Sequence, residues 1–216
     1  MEVAELTPVA QDYLKVIWSA GEWGGAPITT KALAARFKTT AANVSVTLRR
    51  LEAQGLVAYQ PYRPAELTDL GRRLAVAMVR RHRLLEAFLA DIVGYAWDEV
   101  HAEAERLEHA VTDDFLDRID RLLGHPRFDP HGDPIPDVDG ALAPPKTIEL
   151  TAAEQGRYRV ARVDDVDPAA LAELSALGVV PGVRLDLGAD ADSVQVDGAA
   201  VVLPMRLRTA IRVTAG

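Results

Sequence analysis

The sequence predicts a mainly α-helical N-terminal portion followed by a small β-barrel. Three observations carry this. Apolar residues recur at helical spacing from Tyr13 to about Leu123. Residues 124–147 hold six of the chain's 13 prolines and three of its glycines, the signature of an irregular linker. Beyond it come short β-type runs separated by turn pairs such as Pro181-Gly182 and Asp197-Gly198.

Taken in order, Thr7-Pro8 starts the first helix: a hydroxyl caps it and proline occupies its first turn. Tyr13, Leu14, Ile17 and Trp18 form its apolar stripe, and Gly21, Gly24 and Gly25 end it. Ile28-Thr29-Thr30 introduces a second helix with Leu33, Ala34 and Phe37 inward. Thr39-Thr40 leads into a third, in which Val44, Leu48 and Leu51 share one face. Gly55 stops it. Leu56–Tyr59 reads as a strand, 61–64 as a turn, and Glu66-Leu67 as the returning strand. That order is a winged helix-turn-helix. Thr68 caps a long helix running to about Leu89, and residues 97–123 supply one or two more. Strands are expected at Arg157–Val163, Arg184–Leu187, Ser193–Val196, Val201–Leu203 and Ala210–Val213, with a helical piece at Pro168–Leu177. The expected domains are residues 1–73, 74–140 and 146–216.

The 216-residue chain carries a net charge of −8, unevenly spread. Residues 1–73 hold nine Lys/Arg against seven Asp/Glu, a balance of +2, whereas 74–216 hold fifteen against twenty-five, a balance of −10. The first segment can meet phosphates and the remainder can collect cations. With no cysteine, disulfides and thiolate metal sites are excluded. There is no basic-then-apolar leader and no apolar run of membrane-spanning length, so the expected compartment is the cytoplasm.

The segment VHAEAERLEHAV (100–111) bears the chemistry. On a helix, His101, Glu105, Glu108 and His109 fall at about 0°, 40°, −20° and 80°, on one arc. The preceding helix offers His82 and Glu86, also on one face. Nitrogen and oxygen donors on facing helices are how bundles hold metals. The competing reading is a solvated acidic face, because residues 98–120 contain nine Asp/Glu. Carboxylates are hard donors and imidazole is borderline, which suits Mn(II) or Fe(II), with Co(II) and Zn(II) as in vitro substitutes. On the third helix, Thr39, Thr40, Ala42, Asn43, Ser45, Thr47, Arg49 and Arg50 present small and basic groups suited to a major groove, with Arg63 at the wing tip for a phosphate.

With these parts in order, the chain resembles the diphtheria-toxin-repressor family of metal-dependent regulators. The likeness lies in RRHRLLEAFL (80–89), VHAEAERLEHAV (100–111), DPHGDPIP (129–136) and LTDLGRRLA (67–75). It implies a winged helix, a metal-binding and dimerisation helical domain, and an SH3-like (FeoA-like) barrel. It also implies a homodimeric repressor that binds a palindromic operator in double-stranded DNA and controls metal homeostasis. Carried over by position, a principal metal site would use Asp12, Glu105, Glu108 and His109. An ancillary site would use His82, Glu86 and His101, completed from Asp129, His131, Asp165 and Asp167. Iron-type members carry methionine and cysteine where this chain has Asp12 and Glu105, which favours manganese. Lys15 stands where short manganese-type members have a further glutamate. Asp129 stands where many relatives have cysteine, making the ancillary site oxygen-rich. Two alternatives belong to other classes: a metallo-enzyme and a metal-independent winged-helix regulator. Against an enzyme, the chain has no glycine-rich phosphate loop, no Gly-x-Ser-x-Gly and no His-Glu-x-x-His.

Overall fold

The computed structural model describes residues 1–61, 63–188 and 193–216, and the side chain of Ser193 is also outside the description. Tyr62, part of the expected wing turn, lies outside the described residues. The chain divides into two compact units, Met1–Arg81 with Pro136–Ala141, and His82–Ile135 with Leu142–Gly216.

In the first unit, α1 (Pro8–Glu22), α2 (Thr30–Arg36) and α3 (Ala41–Ala53) are each opened by a threonine whose hydroxyl accepts a backbone amide: Thr7, Thr29 and Thr40. Leu14, Leu33, Leu48, Leu51 and Leu56 are buried between them. Each contributes about 1.5–3 kcal/mol by leaving water. Phe37 stacks on Tyr13 at 4.4 Å between ring centroids. The wing is shorter than expected: β1 (Val57–Ala58) pairs antiparallel with β2 (Glu66–Leu67). Thr68 then accepts the Gly71 amide and donates to the Gly55 carbonyl, so one hydroxyl ties the start of α4 (Asp69–Phe88) back to the end of α3. A Cβ at Gly71 would lie 1.9 Å from the Leu56 carbonyl oxygen, which explains the glycine inside a helix.

In the second unit, α4 gives way to a π-helical turn, Leu89–Val93, closed by Gly94 with φ of 88°. The 97–123 segment forms two helices, α5 (Val100–Leu107) and α6 (Asp113–Leu122). Leu84, Leu85, Leu89, Val100, Ala104, Leu116 and Ile119 make their shared core.

The remaining strands form one antiparallel sheet in the order β3-β8-β4-β5-β6-β7. They are β3 (Ile148–Glu149), β4 (Gly156–Val163), β5 (Arg184–Leu187), β6 (Ser193–Val196), β7 (Ala199–Val202) and β8 (Ile211–Ala215). α7 (Pro168–Ala176) and the short α8 (Met205–Arg208) interrupt them. Leu171, Leu174, Leu185, Val194, Leu207 and Val213 fill the core. β7 begins two residues earlier than expected. Asp197 and Gly198 both have positive φ (46° and 88°), so they reverse the chain as a tight hairpin and Ala199 already pairs with Val196. β3, with only two residues, gave no period to read.

Candidate metal centre and reading helix

From Arg81 to Ala87, α4 is buried on every face. A helix can bury His82, Arg83 and Glu86 only if neighbours answer their charge. α5 and its C-cap answer with His101 and Glu108, the 129–133 loop with Asp129, His131 and Asp133, and the stretch after β4 with Asp165.

Glu86 stands at the middle, fully buried. Its Oε1 lies 2.9 Å from His82 Nε2 and 3.1 Å from His101 Nδ1. Its Oε2 has no hydrogen-bond partner, and neither has His131 Nδ1, 3.7 Å away. The His131 tautomer explains the second orphan. Nε2 lies 2.8 Å from the Trp97 carbonyl, to which it can only donate, so whenever the ring gives up its second proton the Nδ1 lone pair faces Glu86. Asp165 adds an oxygen 2.7 Å from His101 Nδ1 and 4.0 Å from His131 Nδ1. Two groupings here have donor atoms all within 4.8 Å of one another: His82, Glu86, His101 and Asp165, and Glu86, Asp129 and His131. A buried polar atom without a partner costs about 1–3 kcal/mol. A divalent cation held between Glu86 Oε2 and His131 Nδ1 would satisfy both, and the donors are all nitrogen and oxygen. The residues therefore fit a metal of the Mn(II)/Fe(II) kind.

The electrostatics agree. Burial opposes charge on both histidines. Hydrogen bonds to Asp165, Glu105 and Glu86 nevertheless push His101 up to about 12. The Glu86 contact, with Asp165 and Asp129 behind it, pushes His131 up to about 9. Burial likewise disfavours the Glu86 anion, but His82, His101 and His131 hold it well below the usual carboxylate range. Without a cation, protons balance these carboxylates.

Asp129 has a divided role. Its Oδ1 accepts the amides of His131 and Asp133, both at 2.9 Å, and so folds the loop; its Oδ2 lies 3.6 Å from Arg83 Nε. The loop is pinned on both sides. Arg83 donates to the Pro134 carbonyl at 2.7 Å, and Arg162 of β4 reaches Asp133 at 2.6 Å. Gly132 (φ 87°) passes so close to β4 that a Cβ would lie 2.0 Å from the Ala161 carbonyl oxygen. Asp165 and His131 are thereby positioned against Glu86 by contacts that need no ion. Asp167, the weakest ancillary candidate by sequence, instead caps α7 through the Ala169 amide.

The other predicted ligands are placed as follows. α5 ends at Leu107, so Glu108 is its cap and His109 sits in the following turn rather than on the helix. The two remain together, with His109 Nε2 3.7 Å from Glu108 Oε1. Glu108 is fully buried, and its Oε2 lies 2.6 Å from His82 Nδ1. Glu105, 44% exposed, faces His101 Nε2 at 3.5 Å and joins none of the metal-capable groupings found among the described residues. Asp12 lies on α1 in the first unit, half-buried.

On α3, Thr40, Ala42, Asn43, Arg49 and Arg50 are exposed, with Thr39, Ser45 and Thr47 half-buried. Asn43 donates to Thr39 Oγ1 at 3.0 Å, Thr47 to the Asn43 carbonyl, and Tyr59 to Ser45 Oγ. Arg63 is exposed on the wing. Val46, 56% exposed among these polar groups, was missed from the sequence because period alone counts it as a stray apolar residue. Trp97, Arg83, Asp133 and Arg162 were also missed: a carbonyl acceptor and long-range ion pairs leave no local pattern.

Known proteins fix the class that this arrangement belongs to. Residues 5–65 match the "Iron dependent repressor, N-terminal DNA binding domain" model, 68–137 the "Iron dependent repressor, metal binding and dimerisation domain" model, and 149–215 the FeoA domain. The iron-dependent repressor IdeR of Mycobacterium leprae is 35% identical over 196 residues, covering 84% of each chain. A solved manganese-dependent transcriptional repressor in complex with manganese is 47% identical, covering 95% of this chain and 99% of its own, with a TM-score of 0.88. The manganese regulator SloR is 31% identical, covering 98% and 100%, with a TM-score of 0.81. These are metal-dependent transcriptional repressors, DNA-binding proteins and not enzymes. The chain belongs to their family, that of the diphtheria toxin repressor and its iron- and manganese-dependent relatives.

Proposed function

We propose that the chain is a Mn(II)-responsive repressor, acting as a homodimer in the cytoplasm on a palindromic operator of metal-homeostasis genes. The observation that carries the metal reading is the facing pair of partnerless buried atoms, Glu86 Oε2 and His131 Nδ1, in a site whose donors are all oxygen and nitrogen. Fe(II) shares this chemistry closely. Co(II) and Zn(II) stand above Mn(II) in general affinity, so selection for manganese must come from geometry and cellular availability.

His82, Glu86, His101, His131, Asp165 and the Oδ2 of Asp129 would hold one cation, supplying the positive charge that now comes from protons on the histidines. Asp12, Glu105, Glu108 and His109 stand as ligands of a second by their place in the family's motifs. The winged helix, residues 1–73, would read DNA through Thr39, Thr40, Ala42, Asn43, Ser45, Thr47 and Arg50, with Arg63 on the backbone. Residues 74–140 would dimerise, and residues 146–216 would contribute Asp165. Two reading heads held about one helical turn apart suit a palindrome. Metal binding that favours the DNA-competent arrangement by about 1–3 kcal/mol would change operator affinity about 5- to 150-fold.

A mobility-shift titration on a palindromic promoter fragment, with Mn(II), Fe(II), Co(II), Zn(II) and no metal, tests this. Tight binding only with metal, lost in Glu86→Gln and His131→Ala, is expected. Equal binding by metal-free protein would overturn the reading in favour of a metal-independent regulator.

A further inference from the structure

Among the described residues, α2, α3, α6 and α7 end in the same hydrogen-bonded turn. In each, the residue after the cap donates its amide to the carbonyl three residues back, and the next residue donates to the carbonyl five back. The residue after the cap must take a positive φ. After α3, α6 and α7 it is Gly55, Gly124 or Gly178, at 72°, 72° and 70°. After α2 it is Lys38, at 49°. A side chain in this conformation crowds its own backbone, which is why glycine is the usual occupant. The turn itself therefore does not call for lysine. Lys38 is exposed, and among the described residues no carboxylate pairs with it. A positive charge near a helix C-terminus also suits the helix dipole. That does not select lysine here either. Arg36 already supplies the charge in the last turn of α2, as Arg50 and Arg121 do in α3 and α6, which keep glycine at the turn.

We propose that Lys38 is a DNA-backbone contact, its ammonium meeting a phosphate beside the groove that α3 reads, and that the strain of its turn is retained for that contact. This rests on α3 being the reading helix and adds to it a residue that carries no base information. Lys38 stands two residues before Thr40, the N-cap of α3, so it lies where the chain enters that helix. A lysine ammonium is a compact charge on a flexible four-carbon stem, suited to a phosphate as a point charge rather than to a base edge. Contacts of this kind set the register and orientation of a reading helix, while the sequence is read by other groups. Strain held at a residue that the fold does not need is the expected mark of such a role.

The experiment measures the affinity of full-length, Mn(II)-saturated protein for operator and for unrelated duplex between about 0.05 and 0.2 M salt. Lys38→Gln keeps the side chain but not the charge; Lys38→Gly removes both. Each is expected to weaken binding about 5- to 10-fold for each reading head at about 0.1 M salt, and to flatten log affinity against log salt by about one per head. The loss is expected on both duplexes alike, because a phosphate carries no sequence. Lys38→Arg is expected to keep affinity and slope near wild type. Thermal melting supplies the opposite sign: Lys38→Gly, freed of strain, is expected to melt about 2–4 °C higher. A more stable protein that binds DNA less well is an outcome that a purely structural role for Lys38 does not give. Unchanged affinity and slope in Lys38→Gln, a loss confined to one operator base pair, or a lower melting temperature in Lys38→Gly would overturn the contact while leaving α3 as the reader. A wild-type protein that binds neither duplex with Mn(II) would overturn that reading too.

Discussion

The carboxylate-histidine centre and the face of α3 are both polar, but they are polar in opposite ways. Around Glu86 every ionisable group is buried or nearly so, and each lies within a few ångströms of a named counter-charge. On α3 the polar groups are exposed or half-buried, and Asn43, Thr47 and Ser45 hydrogen-bond within the helix, its cap and Tyr59. Burial makes the first region expensive to assemble, so its geometry restricts what can fill it. The second is cheap to assemble, and its meaning lies in what it presents to a partner. Mutations should therefore separate the regions: stability and metal binding move together at the centre, and DNA affinity moves alone on α3.

The largest effect is expected at Glu86. Removing one partner of a buried charge cluster costs about 3–5 kcal/mol, because the remaining charges stay behind uncompensated. Glu86→Ala leaves His82 and His101 without their shared acceptor and His131 without the negative charge that faces it. Thermal melting of metal-free protein should show a drop of that order, and Mn(II) binding should be lost. A melting temperature within a degree or two of wild type would break the comparison at its first step.

Gly132→Ala comes next. Its φ of 87° and the 2.0 Å approach to the Ala161 carbonyl leave no room for a side chain. A loss above about 1 kcal/mol is expected from the backbone conformation alone. The accompanying fall in Mn(II) affinity, measured by calorimetry, would show that the loop positions His131. Unchanged affinity would mean that His131 is held in place without this close approach.

These two residues also show what the sequence made legible. Helical spacing put His82 with Glu86 and His101 with Glu105, and turn and cap residues announced most helices. The ligand set was harder. Asp165 and His131 reach Glu86 across sequence separations that no period spans, and only resemblance named them. The helical arc over 101–109 overran the true end of α5 at Leu107, because Glu108, the C-cap, still has helical backbone angles and the turn begins there. Glu105, prominent on that arc, proves 44% exposed and turned toward His101. The orphan pair could not be read at all, since it depends on the Trp97 carbonyl fixing a tautomer.

A subtler separation comes from pH. His101 and His131 are raised to about 12 and about 9, so at neutral pH the metal-free centre holds protons that a cation must displace. Mn(II) affinity should therefore keep rising from pH 6.5 to 9, by about tenfold per pH unit for each proton released. An affinity that levels off near pH 6.5, as for ordinary histidines, would count against this clustering. The stability of metal-free protein should run the other way. A raised histidine pKa contributes stability that is complete below about 6.5, the unfolded value, and for His131 is lost as pH rises through about 9. DNA affinity measured at saturating Mn(II) should follow neither trend in that window.

The smallest changes in stability are expected on α3. Asn43 and Arg50 are exposed, and surface substitutions usually alter stability by no more than about 0.5 kcal/mol. Their effects on DNA should differ in kind. Asn43 bears an amide that can pair with an adenine edge, so Asn43→Ala should cost about 1–3 kcal/mol at one base position and relax preference there. If Arg50 meets a phosphate rather than a base edge, Arg50→Ala should weaken binding to all sequences alike and reduce the slope of log affinity against log salt by about one. Val46 offers an exposed apolar group of the kind that reads a thymine methyl, so Val46→Ser should discriminate less between thymine and cytosine. Binding arrays at two salt concentrations distinguish these outcomes. If Asn43→Ala instead lowered the melting temperature as much as Glu86→Ala, the α3 face would be holding the fold together, and the contrast between the two regions would be lost.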